Sequence, residues 1–330
     1  MSLRLSVHKT TWPLKAPFRI TGHVFLNADA IVVELSEDGL AGRGEALGVY
    51  YLQENADLLL DQVEAARADI ESGVSFDDLQ ELLPPGGARN AVDCALWDLT
   101  AKREKKTIWE LTGIDPRPAR TVFTIGIQET PADMAENAAR AKSYPVLKVK
   151  LDGSEPVARM AAIREARPDA TLVIDANQGF SFDQLKEVVA AFAELGVAMI
   201  EQPLPRGGDE ALAGFSSPIP LCADESCLHR GELAAALDRY DMINIKLDKT
   251  GGLTEALALA KDARAAGKRL MVGNMVGTSL SMAPAFVIAQ LCDFVDLDGP
   301  LALKSDYANG MRYDGAVVTA PEMNFWGCAE

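Results

Sequence analysis

From residue 121 onward the chain alternates short apolar runs with longer alanine-rich stretches. The runs are "TVFTIG", "VLKVK", "TLVID", "VAMIE", "IPLCAD", "MINIK", "RLMVG" and "FVDLD". Between them lie segments such as "PVARMAAIREA", "FDQLKEVVAAFAELG" and "GGLTEALALAKDARAAG". Short apolar runs bounded by turn residues predict buried strands, and the longer stretches predict helices. Eight strands alternating with helices predict an α/β fold closed as a parallel (β/α)8-type barrel. An open doubly wound sheet is the alternative, and the even spacing favours closure.

Residues 1–115 lack this rhythm. "AIVVELSEDGLAGRGEAL" predicts a hairpin turning at Asp38-Gly39, and helical patterns follow around 54–71, 76–83 and 88–104. The pattern therefore divides the chain into an α+β unit over 1–115 and a barrel over 116–304. In the remaining segment, 305–330, "YANGMRYDGAVVTAPE" carries short strand-like runs and is expected to return toward the first unit.

One run breaks the apolar pattern. In "VLKVKLDG" Lys148 and Lys150 project to the same face of a strand that is otherwise buried. Burying two ammonium groups side by side is costly unless something compensates. The other run ends supply candidates. The second run ends in Lys150, the third in Asp175, the fourth in Glu201, the fifth at Asp224, the sixth in Lys246 and the eighth in Asp298. In a barrel these positions converge at the C-terminal mouth, where the catalytic groups of such folds sit. A single terminal charge is well explained as a strand cap; six at equivalent positions are not.

Three acids on adjacent strands share a small site only if a cation neutralises them. Asp175, Glu201 and Asp224 offer oxygen alone, which favours Mg²⁺ over zinc. The second and sixth strands are four apart in a ring of eight, so Lys150 and Lys246 are expected to face each other across the mouth. A lysine crowded by a metal and a second lysine has a lowered pKa and serves as a base when neutral. Lys148 would supply that second charge and contact a substrate carboxylate. The chemistry implied is removal of a proton beside a carboxylate, through an enediolate, with return on the other face.

Composition narrows the classes. With 32 basic and 48 acidic residues, the net charge of −16 opposes nucleic-acid binding and attachment to an anionic membrane. The apolar runs are too short to span a bilayer, and the start of the chain lacks a signal-peptide core, so a cytoplasmic location is expected. Length allows one large or two ordinary domains. Five cysteines form no even-numbered framework. "CADESCLHR" groups Cys222, Cys227 and His229, but the spacing fits no usual zinc site, and these are read as structural thiols.

The motifs "KVK" (148–150), "DAN" (175–177), "EQP" (201–203), "ADES" (223–226) and "NIKLDKTGG" (244–252) closely resemble the enolase superfamily in its muconate-lactonising branch. The pairing of Lys or His bases with Mg²⁺ in that superfamily is established chemistry. "GRGEA" (42–46) and "ARNAVDCALWDL" (88–99) resemble its capping-domain segments. The resemblance implies a modified (β/α)7β barrel, Lys150 and Lys246 as the acid/base pair, Lys148 at the carboxylate, and Asn177 and Glu225 supporting the ligands. "DLDGP" (296–300) resembles the dipeptide epimerases, the L-Ala-D/L-Glu type in particular, in which the two aspartates hold the free ammonium. Geometry agrees: Asp296 and Asp298 should alternate onto one strand face opposite the metal, and a dipeptide spans at most about 7 Å. Thr124 is a further substrate-contact candidate, with an ordinary strand residue as the equal alternative.

One departure matters. Glutamate-selective members carry an arginine in the first mobile loop of the cap, where "PFRITGHVF" (17–25) here places His23, with Arg19 nearby. Selectivity for glutamate is therefore open. Other readings of the same residues are a cycloisomerase or o-succinylbenzoate synthase, a Schiff-base aldolase that leaves the acid triad unexplained, and a non-catalytic metal-binding barrel. Oligomeric state is not legible.

Overall fold

The computed structural model describes residues 3–20, 23–322 and 324–328. Strands β1 (Arg4–Ile20), β2 (His23–Glu37) and β3 (Leu40–Ala46) form an antiparallel sheet of order β1-β2-β3. The β2–β3 turn falls at Asp38 and Gly39, both in the left-handed region (φ 54° and 86°), as a two-residue hairpin of matching twist requires. The three longest helices that follow are Ala56–Ala65, Phe76–Leu82 and Gly87–Glu104, with one-turn helices at Arg67–Glu71 and Ile108–Thr112. Asn55 caps the first, and a Ser75–Asp78 capping box starts the second. The inner sheet face and these helices enclose a core of their own around Ile31, Val33, Leu59, Val63, Leu79, Val92 and Leu99.

After the short strand β4 (Ala119–Arg120) come eight parallel strands. They are β5 (Phe123–Ile125), β6 (Val146–Lys150), β7 (Thr171–Asp175), β8 (Val197–Glu201), β9 (Leu221–Ala223), β10 (Met242–Ile245), β11 (Arg269–Val272) and β12 (Phe294–Val295). They pair in chain order from β5 to β12. A parallel bridge between Thr121 and Val295, with Val122 N–H donating to Val295 O at 2.8 Å, joins the two edges and closes the ring. Strand β6 thus lies four places from β10, as the spacing predicts.

Alternation along each strand sorts the interior into layers. Val173, Met199, Cys222, Met242 and Met271 pack together inside the barrel. Two residues further on stand Asp175, Glu201, Asp224 and Asn244, and Lys246 is two beyond Asn244. An apolar floor therefore carries a charged upper layer. The outward faces pack against the surrounding helices, for example Leu147, Ile174, Ile200, Ile245, Leu185 and Leu259.

The end of the chain visits both units. Strand β13 (Arg312–Asp314) pairs with β14 (Val317–Thr319), which pairs in turn with β4 at the barrel base. Trp326 Nε1–H then donates to Arg43 O (3.0 Å) and Cys94 O (3.2 Å), and Gly327 N–H to Asp98 Oδ1 (2.8 Å). No helix of the described residues is long and apolar enough to cross a membrane. All five cysteines are free; His229 accepts from Gly231 N–H and caps the helix Arg230–Ala236.

Candidate active site

The two lysines of "KVK" are compensated by acids from neighbouring strands. Lys148, 2% exposed, holds its Nζ 2.7 Å from Glu201 Oε2, 2.8 Å from Asp296 Oδ2 and 3.0 Å from Asp175 Oδ2. Lys150 Nζ donates to the same Asp175 Oδ2 at 2.6 Å and to Asn177 Oδ1 at 3.0 Å. Across the barrel, Lys246 Nζ donates to Asp224 Oδ2 at 2.7 Å. Both Lys150 and Lys246 line one cavity of about 480 Å³, together with Asn177, Asp224 and Glu225.

The electrostatics follow from these pairings. Burial depresses the ammonium groups of Lys148 and Lys246, but Asp175, Asp296 and Glu201 outweigh it for Lys148, and Asp224 and Glu201 for Lys246. Both are held well above the ordinary lysine value. Burial raises Asp175, yet Lys148, Lys150 and Lys246 carry it down to about 2; Asp224 is held far below the usual range by Lys246 and Lys249 against its own burial. Glu201 goes the other way, up to about 7, through burial and then repulsion from Asp175. Glu225 rises to about 8 by burial and the charge of Asp224.

The donor set fits a hard divalent cation. Asp175, Glu201 and Asp224 are fully buried carboxylates at successive strand ends, with Asp175 in register with Glu201. The ammonium of Lys148 already stands as a cation between two of them. Among the described residues no three acidic, histidine or cysteine side chains form a ready-made cage. What recommends the site is oxygen chemistry, three buried carboxylates brought together at adjacent strand ends.

The eighth strand departs from expectation. Strand β12 stops at Val295, so Asp296 and Asp298 do not alternate along a strand. Asp296 extends the ladder by one bond, its N–H donating to Val272 O, and its carboxylate meets Lys148 and Asn274 Nδ2 (3.3 Å). Asp298 precedes the one-turn helix Gly299–Ala302, and its Oδ2 accepts from Thr124 N–H at 2.9 Å. Burial and the neighbouring Asp296 push Asp298 up to about 7. Thr124 and Asp298 are thereby brought together on the seam between first and last strands, beside the cavity and outside its lining. The ladder stops because the next N–H, that of Leu297, donates to the Thr121 hydroxyl at 2.9 Å.

The cap covers the mouth. Phe18, Ile20, His23 and Phe25 of the β1–β2 hairpin line the cavity, with Leu47, Gly48, Tyr50, Tyr51 and Glu54 from the segment after β3. The His23 ring lies 4.2 Å from that of Phe25 and 5.3 Å from that of Tyr50. Arg19 is exposed and outside the lining; residues 21 and 22 of "PFRITGHVF" lie outside the described residues.

Several residues at the site carry no signal in spacing alone. Gln202 has φ 37°, strained for a residue with a side chain, and its amide is saturated. Its Oε1 accepts from Asp224 N–H and Ser226 N–H, both at 3.0 Å, and its Nε2 lies within hydrogen-bonding distance of Leu204 O, Ser226 Oγ and Tyr240 OH. It ties the ends of β8 and β9 together. Asn244 Nδ2 donates to Glu201 Oε1 at 2.7 Å, and Lys249 Nζ to Asp224 Oδ1 at 2.6 Å. A Cβ on Gly273 would come within 2.9 Å of Lys246 Cε. The glycine closing "RLMVG" was its one available clue.

Residues 132–323 match the family described as enolase C-terminal domain-like, and residues 2–113 match the mandelate racemase/muconate lactonizing enzyme N-terminal domain. The chain belongs to this family, within the enolase superfamily. Among its relatives, the L-Ala-D/L-Glu epimerase of Escherichia coli is 44% identical over 94% of this chain and 97% of that one. A solved enolase family member from Agrobacterium tumefaciens with homology to dipeptide epimerases, bound to sodium and L-Ala-L-Glu, superposes with TM-score 0.96. It is 40% identical, over 98% of this chain and 100% of that one. The dipeptide epimerase of Enterococcus faecalis, complexed with Mg and L-Leu-L-Tyr, superposes with TM-score 0.91 at 27% identity, over 98% of each chain.

Proposed function

We propose that this protein is a Mg²⁺-dependent dipeptide epimerase that inverts the Cα of the C-terminal residue, with L-Ala-D/L-Glu as the first substrate pair. The observation that carries this reading is the placement of Lys150 and Lys246, from strands four apart in the ring, on one cavity. Asp175, Glu201 and Asp224 would hold Mg²⁺, with Asn177 and Glu225 beside them. When bound, the ion supplies Lewis-acid stabilisation of negative charge at the substrate carboxylate.

Lys150 and Lys246 then do the proton work. One takes the proton from Cα on its own face, and the other delivers a proton to the opposite face. Each needs its neutral form to act as base and its charged form as acid, so the pair alternates with the direction of turnover. Lys148 stays cationic among its acids and meets the substrate carboxylate. Asp296 and Asp298 receive the substrate ammonium, with Thr124 fixing Asp298. His23 and the aromatic wall meet the second side chain. In this reading residues 1–115 cap a barrel of residues 116–304, residues 305–330 return to the cap, and the enzyme works in the cytoplasm.

The acidic pair near the eighth strand favours a dipeptide over a cycloisomerase substrate, which presents no ammonium to receive. The test is an L-Ala-L-X dipeptide library in D₂O with Mg²⁺, followed by mass spectrometry. Deuterium should enter at the C-terminal Cα with formation of the D-epimer. Mg²⁺ binding without any exchange would support the non-catalytic alternative instead.

A further inference from the structure

The turn that follows Lys246 is also the place where the two units of the chain are joined. Lys246 is the N-cap of the short helix Leu247–Thr250. From that turn onward, residues bond one face of the long cap helix Gly87–Glu104. Arg89 donates to Thr250 O (2.7 Å) and Gly251 O (3.1 Å), Asp93 Oδ2 accepts from Thr254 N–H (3.0 Å), and Trp97 Nε1–H donates to Thr254 Oγ1 (2.9 Å). These contacts dock helix against barrel.

Asp248 does something different. It is 5% exposed, and its Oδ1 accepts from Asn90 Nδ2 (3.1 Å) and, beyond the helix, from Leu47 N–H (3.0 Å). The Gly48 N–H also bonds this carboxylate. Leu47 and Gly48 are cavity-lining residues, and the chain runs directly on to Tyr50 and Tyr51, which line it as well. The far end of the same segment has its own anchor, since Glu54 Oε2 accepts from Val49 N–H at 2.9 Å and Gly87 N–H at 3.4 Å. Two peptide N–H groups of the cavity wall therefore depend on one carboxylate located two residues from a catalytic lysine.

We infer that Asp248 is a positioning residue that fixes the cavity wall Leu47–Tyr51 at a set distance from Lys246, coupling substrate fit to the base. This rests on the proposed function for its kinetic consequence, but not for its structural one. Gly48 sits at φ 83°, and with the anchor gone its peptide is free to leave that conformation. The wall would then recede while Lys246 and its partner Asp224 stay in place. Binding should suffer more than chemistry.

The test compares Asp248→Ala with Asp93→Ala, which removes a docking bond on the same helix but touches no cavity residue. Amide hydrogen exchange read on peptides covering 44–52 should quicken at least tenfold in Asp248→Ala and stay at the wild-type rate in Asp93→Ala. With L-Ala-L-Glu, KM should rise at least fivefold in Asp248→Ala with kcat kept within threefold, and Asp93→Ala should keep both. Asp248→Asn, which retains the Oδ1 acceptor, should fall between, and it carries the same comparison if the alanine variant fails to fold. Unchanged exchange over 44–52, or quickened exchange with unchanged KM, overturns the assignment. If the wild-type chain epimerised no dipeptide, the proposed function would fall, and the exchange measurement would still decide whether Asp248 holds the wall.

Discussion

Lys150 and Lys246 differ in what holds them: Lys150 is tied to Asp175 and Asn177, Lys246 to Asp224. Each is thus fixed on its own side of the cavity, which makes stereospecific exchange the sharpest residue-level prediction. Lys150→Ala and Lys246→Ala should each abolish epimerisation, by a factor of at least about 10³. Each should still exchange deuterium into one isomer of the dipeptide, the opposite one in the two variants. Loss of the same isomer's exchange in both would contradict the two-face assignment. The second residue-level prediction concerns His23. It is the cap side chain with a titratable nitrogen facing the wall aromatics, and Arg19 stands outside the lining. A glutamate carboxylate desolvated without a permanent cation costs several kcal/mol, of order 1–3 for a lost charged bond. Neutral L-Ala-L-X dipeptides should therefore reach a kcat/KM within a hundredfold of that for L-Ala-L-Glu. A larger preference for glutamate would reveal another cation in the pocket.

Between elements, β3 packs closely against the helix Gly87–Glu104. A Cβ added at Gly42 would lie 2.2 Å from Ala95 O, and one at Gly44 would lie 2.1 Å from Ala91 O. Both obstacles are backbone, which cannot turn aside as a side chain does. Gly44→Ala should therefore destabilise the cap by about 1–3 kcal/mol or more through overpacking. Urea unfolding followed by circular dichroism measures it. A midpoint equal to wild type would show that the sheet can lift from the helix without cost. Because Leu47 follows directly after β3, the same variant should also raise KM.

At the scale of the whole molecule, the joint between cap and barrel contains a carboxylate that burial perturbs most strongly. Glu45 accepts from Thr278 N–H (2.9 Å) and Thr278 Oγ1 (2.8 Å), and desolvation pushes its pKa from 4.5 up to about 7 despite those bonds. The folded value lies above the unfolded one, so the unfolded chain releases the proton first. Glu45 therefore lowers stability as pH rises from about 4.5 to about 7, by a total of roughly 3 kcal/mol, and its contribution is level above that. Glu45→Gln does not titrate and should lack this fall. Urea unfolding of both chains from pH 5 to pH 8, with metal chelated, should show wild type losing stability relative to the variant. A constant difference would mean that water reaches the carboxylate.

The amino-acid pattern by itself determined the barrel, the hairpin at Asp38-Gly39 and the charged strand ends. A strand's two faces alternate with a period of two, so an apolar run that closes on a charge is a local feature. The same alternation placed Lys148 with Lys150 on the inner face. Tertiary structure alone decided the rest. That Asp296 meets Lys148, that Asp298 meets Thr124, and that Gln202 pins Asp224 depends on strands brought together from distant parts of the chain. The "DLDGP" run reads as a strand, yet Leu297 N–H bonds the Thr121 hydroxyl and a helix starts after Asp298. Arg19 and His23 lie on the same hairpin, but a register shift between Pro13 and Phe18 intervenes before them. A single-residue shift exchanges the faces of everything beyond it, and no local periodicity records it.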